Sequence, residues 1–474
     1  VGVRNAGQIG ASAGEITVTS DGRLENTGAI TGNTAEQIAA HDGITNSGTL
    51  YSQGDMQLST QGDIANQGIA AARNNATLLA NGANSHITSG SGSVFAAGLN
   101  DDGSLNSSGD LTLTATQGIA ANTRNLAGGN LAIGSATVDL SNSQTSAAGN
   151  MTVNASQGDL DGRNASLAAN GQLALTAQGQ IAINAASQVV AGQNMAVTAS
   201  GLAGDGQMLS YGNAQLDLSG DYTHTGTLQA DGDATLNIAG NLNNQSHLLA
   251  GGAMNIQAAN IDNASPGDII ASQTVLTSPG ALTNRGAIDG QDTQITAATV
   301  NNLGAGRIYG DHLSIAAGTL NNEAENAQAP VIAARNRLDI GANTITNREH
   351  ALIFSAGDMA IGGSLDAGKQ ATGQAATLNN TSATIESLGN LDIASARINN
   401  TNEHFSTQVV QVSSENLNEF QGEGSGTRYP STSAYQQNVR DSFYRWVING
   451  VEYDRSYQYV YTRTTTETQV QSSD

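Results

Sequence analysis

Residues 282–323 read LTNRGAIDGQDTQITAATVNNLGAGRIYGDHLSIAAGTLNNE, and the stretch repeats itself. Ile288-Asp289-Gly290 returns as Ile308-Tyr309-Gly310, Ile295 as Ile315, and Val300-Asn301-Asn302 as Leu320-Asn321-Asn322. The turn from Asn284 to Ile288 is two residues shorter than its counterpart from Asn302 to Ile308. One unit is therefore about 20 residues, with length changes confined to a loop, and a fixed period in this range marks a stacked array.

The same ruler runs outward in both directions. Asn26-Thr27-Gly28, Asn46-Ser47-Gly48 and Asn66-Gln67-Gly68 are evenly spaced. From Gly109 a second signature appears: a glycine, one or two polar residues, then apolar alternation. It is led by Leu111, Leu131, Met151, Leu173 and Met195, and continues through Leu216, Leu236, Met254, Leu313, Leu338, Met359 and Leu391. Alternation with a period of two predicts strands with one buried face. Gly, Asn and Asp between strands predict turns, since they accept left-handed backbone at low cost. The fold expected is all-β: a right-handed parallel β-helix in which inward Leu, Ile, Val and Ala stack from coil to coil and equivalent Asn residues form ladders at the corners. An antiparallel sandwich is the structural rival, and would show hairpins instead of one-for-one translation. At about 4.8 Å per coil, residues 1–400 predict a rod on the order of 90–95 Å.

Composition agrees with a stacked array. Gly is abundant (57), Pro scarce (4), and only 12% of residues are charged, unlike a disordered chain. No apolar run is long enough for a membrane span. Seventeen basic against 40 acidic residues give a net charge of −23, which disfavours nucleic acid as a partner and suits self-repulsion between rods. Lys369 is the single lysine, and there are no cysteines, so neither disulfides nor thiolate metal sites are available. The opening Val1-Gly2-Val3-Arg4-Asn5-Ala6-Gly7 reads as mid-repeat, as expected of a fragment of something longer.

Three features break the rhythm. NEAENAQAPVIAA from Asn322 and GGSLDAGKQATGQAAT from Gly362 to Thr377 are extra lengths, expected as side loops. Near residue 401 the composition changes, dividing the chain into a 1–400 stalk and a 401–474 aromatic-rich β cap. Eleven aromatic residues fall in the last 74 positions and six in the first 400. Trp446 to Tyr453 carries Asn449-Gly450, the signature of a two-residue type I′ hairpin. Tyr457, Tyr459 and Tyr461 alternate and should share one strand face. Tyr, Trp and Arg dominate interface hot spots. The candidate partner-binding set is accordingly Tyr429, Tyr435, Phe443, Tyr444, Arg445, Trp446, Tyr453, Arg455, Tyr457, Tyr459 and Tyr461, with Arg463 interleaved. The same rings could instead cover the open edge of the last coil.

Residues for chemistry are sparse. Seven histidines (41, 86, 224, 247, 312, 350, 404) show no paired spacing and are expected in turns or on the surface. Asp101-Asp102 and Asp205 are expected as acidic turn residues and not as cation ligands. Neither a phosphate loop, a nucleophile elbow nor a zinc-protease motif occurs. No enzyme activity, metal or cofactor is expected. A polysaccharide-acting β-helix enzyme would need carboxylates and a basic residue converging on one groove, whereas Asp and Arg are spread thinly along the sequence.

Asn284-Arg285-Gly286-Ala287-Ile288, Asn302 to Ile308 and the recurrent Gly-Asp/Asn-Leu/Met strand starts resemble filamentous-haemagglutinin repeats. Leu391 to Phe405 resembles the last repeats of the first repeat block, and Tyr461 to Asp474 the junction that follows it in CdiA-type exoproteins. The resemblance spans essentially the whole chain. It implies a two-partner-secretion protein of a Gram-negative bacterium, secreted to the cell surface through a dedicated outer-membrane transporter. By that resemblance residues 1–400 are a stalk, and a receptor-binding region begins where they end. The implied function is the extracellular stalk of a contact-dependent growth-inhibition effector that meets an outer-membrane receptor, protein or glycan, on a neighbouring cell. Secretion domain and toxin would lie outside this stretch. The alternative is a filamentous adhesin for a host glycan or protein.

Overall fold

The computed structural model describes residues 2–100, 102–105, 108–440 and 443–472. Asp101 and the side chain of Phe443 lie outside the described residues. The chain forms two compact units, Val1–Asn400 and Thr401–Asp474.

The first unit is a parallel β-solenoid. Short strands pair in parallel with their counterparts about 20 residues on, and the register matches the repeat: Ile288 opposes Ile308, Ile295 opposes Ile315, and Val300 opposes Leu320. Three apolar columns run through its second half. Ile256, Leu276, Ile295, Ile315, Ile340 and Ile361 make one. Leu242, Ile261, Leu282, Val300, Leu320, Ile345 and Leu378 make another. Leu248, Ile269, Ile288, Ile308, Ile332 and Ile353 make the third. All are buried, because a residue placed on its own counterpart removes apolar surface from water on both. Between residues 273 and 348 the strands fuse into runs of up to 18 residues, ending in Val331–Arg348.

An asparagine ladder, buried from Asn244 to Asn347, lies beside these columns. Asn244, Asn263, Asn284, Asn302, Asn322, Asn347, Asn380 and Asn400 are linked in series, each Nδ2 donating to the next Oδ1 at 2.7–2.9 Å. Asn5, Asn26, Asn46 and Asn66 form a second such ladder. Most of these amides also donate to a backbone carbonyl, as Asn322 does to Leu352 at 3.1 Å, so the buried polar groups are satisfied.

Some sequence expectations change in the structure. The glycines of the Asn-x-Gly turns are explained by space and not by left-handed backbone. A Cβ on Gly28, Gly48 or Gly68 would sit 2.0 Å from the carbonyl oxygen of Gly7, Gly28 or Gly48. The series of strand leaders slips by two: Met195 opposes Ala214, not Leu216, and Ala234, not Leu236, opposes Met254. A period of two conceals a slip of two, because every side chain stays on its own face. His224 is not a surface histidine. It is buried in register with Asn244, its Nε2–H donating to the His247 carbonyl at 3.0 Å and its Nδ1 accepting from the Tyr222 hydroxyl at 2.7 Å. Burial lowers its pKa and keeps it neutral.

Glu36 was not singled out by the sequence. It stands between Ile16 and Met56 in a core column, fully buried, with neither carboxyl oxygen hydrogen-bonded. Burial pushes its pKa up to about 8.

The second unit is antiparallel. Ser406–Gly422 and Ser456–Ser472 make a long two-stranded ribbon, joined at its base by Tyr429–Pro430. Ala434–Arg440, Phe443–Ile448 and Val451–Tyr453 make a three-stranded sheet. Asn449 (φ 46°) and Gly450 (φ 76°) form the expected tight turn, both left-handed as type I′ demands. No helix is long and apolar enough to cross a membrane among the described residues.

Candidate recognition surface

Strand register sorts the candidate residues of the second unit. Tyr457, Tyr459 and Tyr461 stand opposite Gln421, Glu419 and Leu417, so all six share one ribbon face. The Arg428 guanidinium lies 3.8 Å from the Tyr459 ring centroid. The Tyr461 hydroxyl donates to Glu419 at 2.9 Å, and Arg463 pairs with Glu415 at 3.3 Å on the same face. Tyr457 and Tyr461 remain 51% and 39% exposed. This is a flat stripe of amphipathic rings held by charge contacts, with hydroxyls and guanidinium groups at its edge.

The opposite ribbon face does a different job. Phe420 stacks on Trp446 with centroids 4.8 Å apart. Tyr453 pairs across the small sheet with Trp446, and its ring fills the space a Cβ on Gly422 would need. Trp446 and Tyr453 are therefore committed to packing, with Val447 and Ile448 buried near them in sequence. Tyr429 is half-buried opposite Phe420. Arg445 is held by Glu452 and Asp454 at 3.2 and 3.0 Å. Tyr435 and Tyr444 are exposed, and their register places them on opposite faces of the small sheet. Arg455 is exposed just before the returning strand. The structure thus groups three of the candidates, Tyr457, Tyr459 and Tyr461, into one surface, and adds Arg428, Glu415 and Glu419. The sequence separates those three from the tyrosines by about 30–46 positions, and only strand pairing brings them together.

Charges also converge on the solenoid more than their spacing suggests. Arg335 reaches Asp289 at 2.7 Å and Asp311 at 3.2 Å, bracing three successive coils. Arg285 pairs with Glu325 of the extra loop at 2.7 Å. The buried Asp339 is held by Arg337 at 2.6 Å and His312 at 3.1 Å, and these contacts keep its pKa low against the opposing effect of burial. In each case the acid is already paired, which suits bracing better than proton transfer. No group of three or more His, Asp or Glu is placed to hold a metal among the described residues.

The model of the haemagglutinin repeat matches residues 2–28, 11–92, 71–161, 152–210, 209–289, 275–341 and 316–418, covering most of the chain. The chain belongs to the haemagglutinin-repeat family. Membership supports reading the solenoid of this haemagglutinin-repeat protein as the extracellular stalk of a two-partner-secretion protein. The last matched segment runs on to residue 418, into the first strand of the ribbon. The chain is also similar to Toxin CdiA of Yersinia pestis, 54% identical over 57 residues. That match spans 12% of this chain and 2% of the toxin. No solved structure matches the chain.

Proposed function

We propose that this haemagglutinin-repeat protein is the stalk and junction of a CdiA-like contact-dependent growth-inhibition effector. On this reading it is exported through a dedicated outer-membrane transporter and projects from the cell surface. Residues 401–474 belong to the region that meets an outer-membrane receptor on a neighbouring bacterium. The observation that carries the reading is the Tyr457–Tyr459–Tyr461 face, an exposed aromatic and Arg-rich surface appearing where the repeats give way. Its rings offer large contact area at low entropic cost. The similarity to Toxin CdiA supports the choice of an antibacterial effector over a host adhesin. The role is mechanical: the solenoid supplies reach, the ribbon supplies contact, and the chain performs no chemistry.

Binding of the purified chain to bacterial cells tests this. Combined Tyr457→Ala, Tyr459→Ala and Tyr461→Ala substitution should reduce cell binding by at least about tenfold, in the range of interface hot spots. Unchanged binding would remove the site from the ribbon. Binding to animal cells but not to bacteria would favour the adhesin.

A further inference from the structure

The ribbon of the second unit has one long uncovered edge. Its strands lie in the order Tyr429–Pro430, Ser406–Gly422, Ser456–Ser472. The returning strand therefore pairs with residues 406–422 on one side and with no strand on the other among the described residues. In an antiparallel pair, alternate residues point both backbone groups away from the partner, so this edge presents a row of unpaired N–H and C=O groups. Proteins guard such edges with Lys, Pro or a bulge. Residues 456–470 contain neither Lys nor Pro, and the bulge at Val412 falls on the other strand. Every residue from Val460 to Val470 is exposed, Val460 and Val470 themselves at 71% and 58%. A two-stranded ribbon bare on both faces is marginal in water, and additional strands stabilise it.

The sequence of the edge indicates which strand fits it. Val460 to Val470 reads VYTRTTTETQV. Taken from both ends toward Thr465, Val meets Val, Thr meets Thr twice, and Arg463 meets Glu467. Identical strands paired antiparallel are related by a two-fold axis perpendicular to the sheet, and residues equally far from that axis stand opposite each other. With the axis at Thr465, Val460 faces Val470 of the second copy, Thr462 faces Thr468, Thr464 faces Thr466, and Arg463 faces Glu467, each contact occurring twice. β-branched and opposite-charge pairs are the cross-strand contacts that stabilise a sheet. Within one chain Glu467 stands opposite the apolar Val410, while Arg463 stands opposite Glu415 and pairs with it at 3.3 Å. The second copy gives Glu467 the cation it lacks across its own ribbon. Residues 456–472 carry one Arg and one Glu, so the contact itself is neutral although the chain carries −23.

We propose that the Ser456–Ser472 edge pairs antiparallel with the same edge of a second copy of this chain, about a two-fold axis at Thr465, joining two ribbons into one sheet. A perpendicular axis preserves faces, so the tyrosine stripes of both copies lie on one side of that sheet and stay uncovered. The contact uses the strand edge and does not depend on the receptor reading.

Sedimentation equilibrium of the full chain from about 1 to 100 µM spans micromolar dissociation constants. It should show a species of twice the 48.1 kDa chain. Glu467→Arg replaces two attractive pairs by two repulsive ones and should weaken the dimer at least about tenfold. Mixing that variant with Arg463→Glu restores opposite charges at both pairs and should recover the dimer. The chain has no cysteine, so single cysteines report the register. Thr465→Cys stands opposite itself at about 5 Å between Cβ atoms and should cross-link under mild oxidation. Thr468→Cys lies roughly 20 Å from its counterpart and should not. A chain that stays monomeric throughout would overturn the proposal and leave the edge to a strand of another protein. A dimer indifferent to Glu467→Arg, or cross-linking of Thr468→Cys as readily as Thr465→Cys, would overturn it as well.

Discussion

In residues 1–400 a buried side chain rests on its own counterpart from the coil before, as Ile315 does on Ile295. In residues 401–474 the buried groups meet strangers: Phe420 meets Trp446, and Gly422 meets Tyr453. The first arrangement is additive. Each coil adds a similar increment of burial, and in two stretches one more rung of asparagine, so the loss of any single contact is local. The second has no redundancy, because a handful of rings and two buried aliphatics, Val447 and Ile448, hold a whole sheet. The difference teaches where each unit can tolerate change. A repeat can lose a column residue and keep its neighbours, while the small unit can spare its outer ribbon face but not its inner one.

The largest loss of stability should come from Ile448→Ala, which removes a fully buried side chain from the small sheet at a cost of about 3 kcal/mol. Trp446 is the single tryptophan, so its fluorescence reports this unit alone. Its unfolding midpoint should fall sharply while the far-ultraviolet melt of the solenoid stays put. A cooperative loss of both signals would break the comparison.

Glu36 offers the next test, from inside the additive unit. Its pKa rises from 4.5 to about 8 on folding, so the folded state holds the proton more tightly. Its ionisation therefore adds no cost below about pH 4.5 and opposes folding increasingly as the pH rises to about 8. Glu36→Met, copying Met56 of the next coil, should stabilise the protein by about 4 kcal/mol more at pH 8 than at pH 4. Denaturant melts across that range measure it. A gain independent of pH would mean the carboxyl does not titrate there.

Asn322→Ala should cost about 2 kcal/mol, since it leaves Asn302 without its acceptor and Asn347 without its donor. Hydrogen exchange should quicken in the coils on either side and not beyond them. Spread along the whole ladder would show cooperativity that the additive picture denies. The smallest effect belongs to Arg428→Ala, which removes the guanidinium from the Tyr459 ring and should cost about 0.5–1 kcal/mol of stability.

Much of this was legible because the repeat constrains its own reading. Once Ile288 maps onto Ile308 and Val300 onto Leu320, the parallel pairing and the asparagine ladder follow. The type I′ turn at Asn449-Gly450 was legible too, since few other pairs accept two left-handed residues in succession. What the sequence hid falls under two causes. Alternation carries no absolute register, so the two-residue slip after Met195 passed unseen. Polar residues in core columns carry no label either: Glu36 and His224 read as ordinary surface residues until their neighbours one coil away are known. The tyrosine face of the ribbon was half legible. The alternation of Tyr457, Tyr459 and Tyr461 is local, but Arg428 and the ring-committed roles of Trp446 and Tyr453 depend on contacts between distant positions.

The ribbon has one more property. Its first and last strands are paired along their whole length, and Ser406 lies opposite Ser472. The polypeptide goes out along one strand, builds its sheet, and comes back beside its point of departure. Such a unit is a detour whose mouth is one strand spacing wide, about 4.8 Å. Insertions with adjacent ends are the kind that folds accept without rearrangement. Residues 406–472 could therefore be set into the loop of an unrelated scaffold as one cassette.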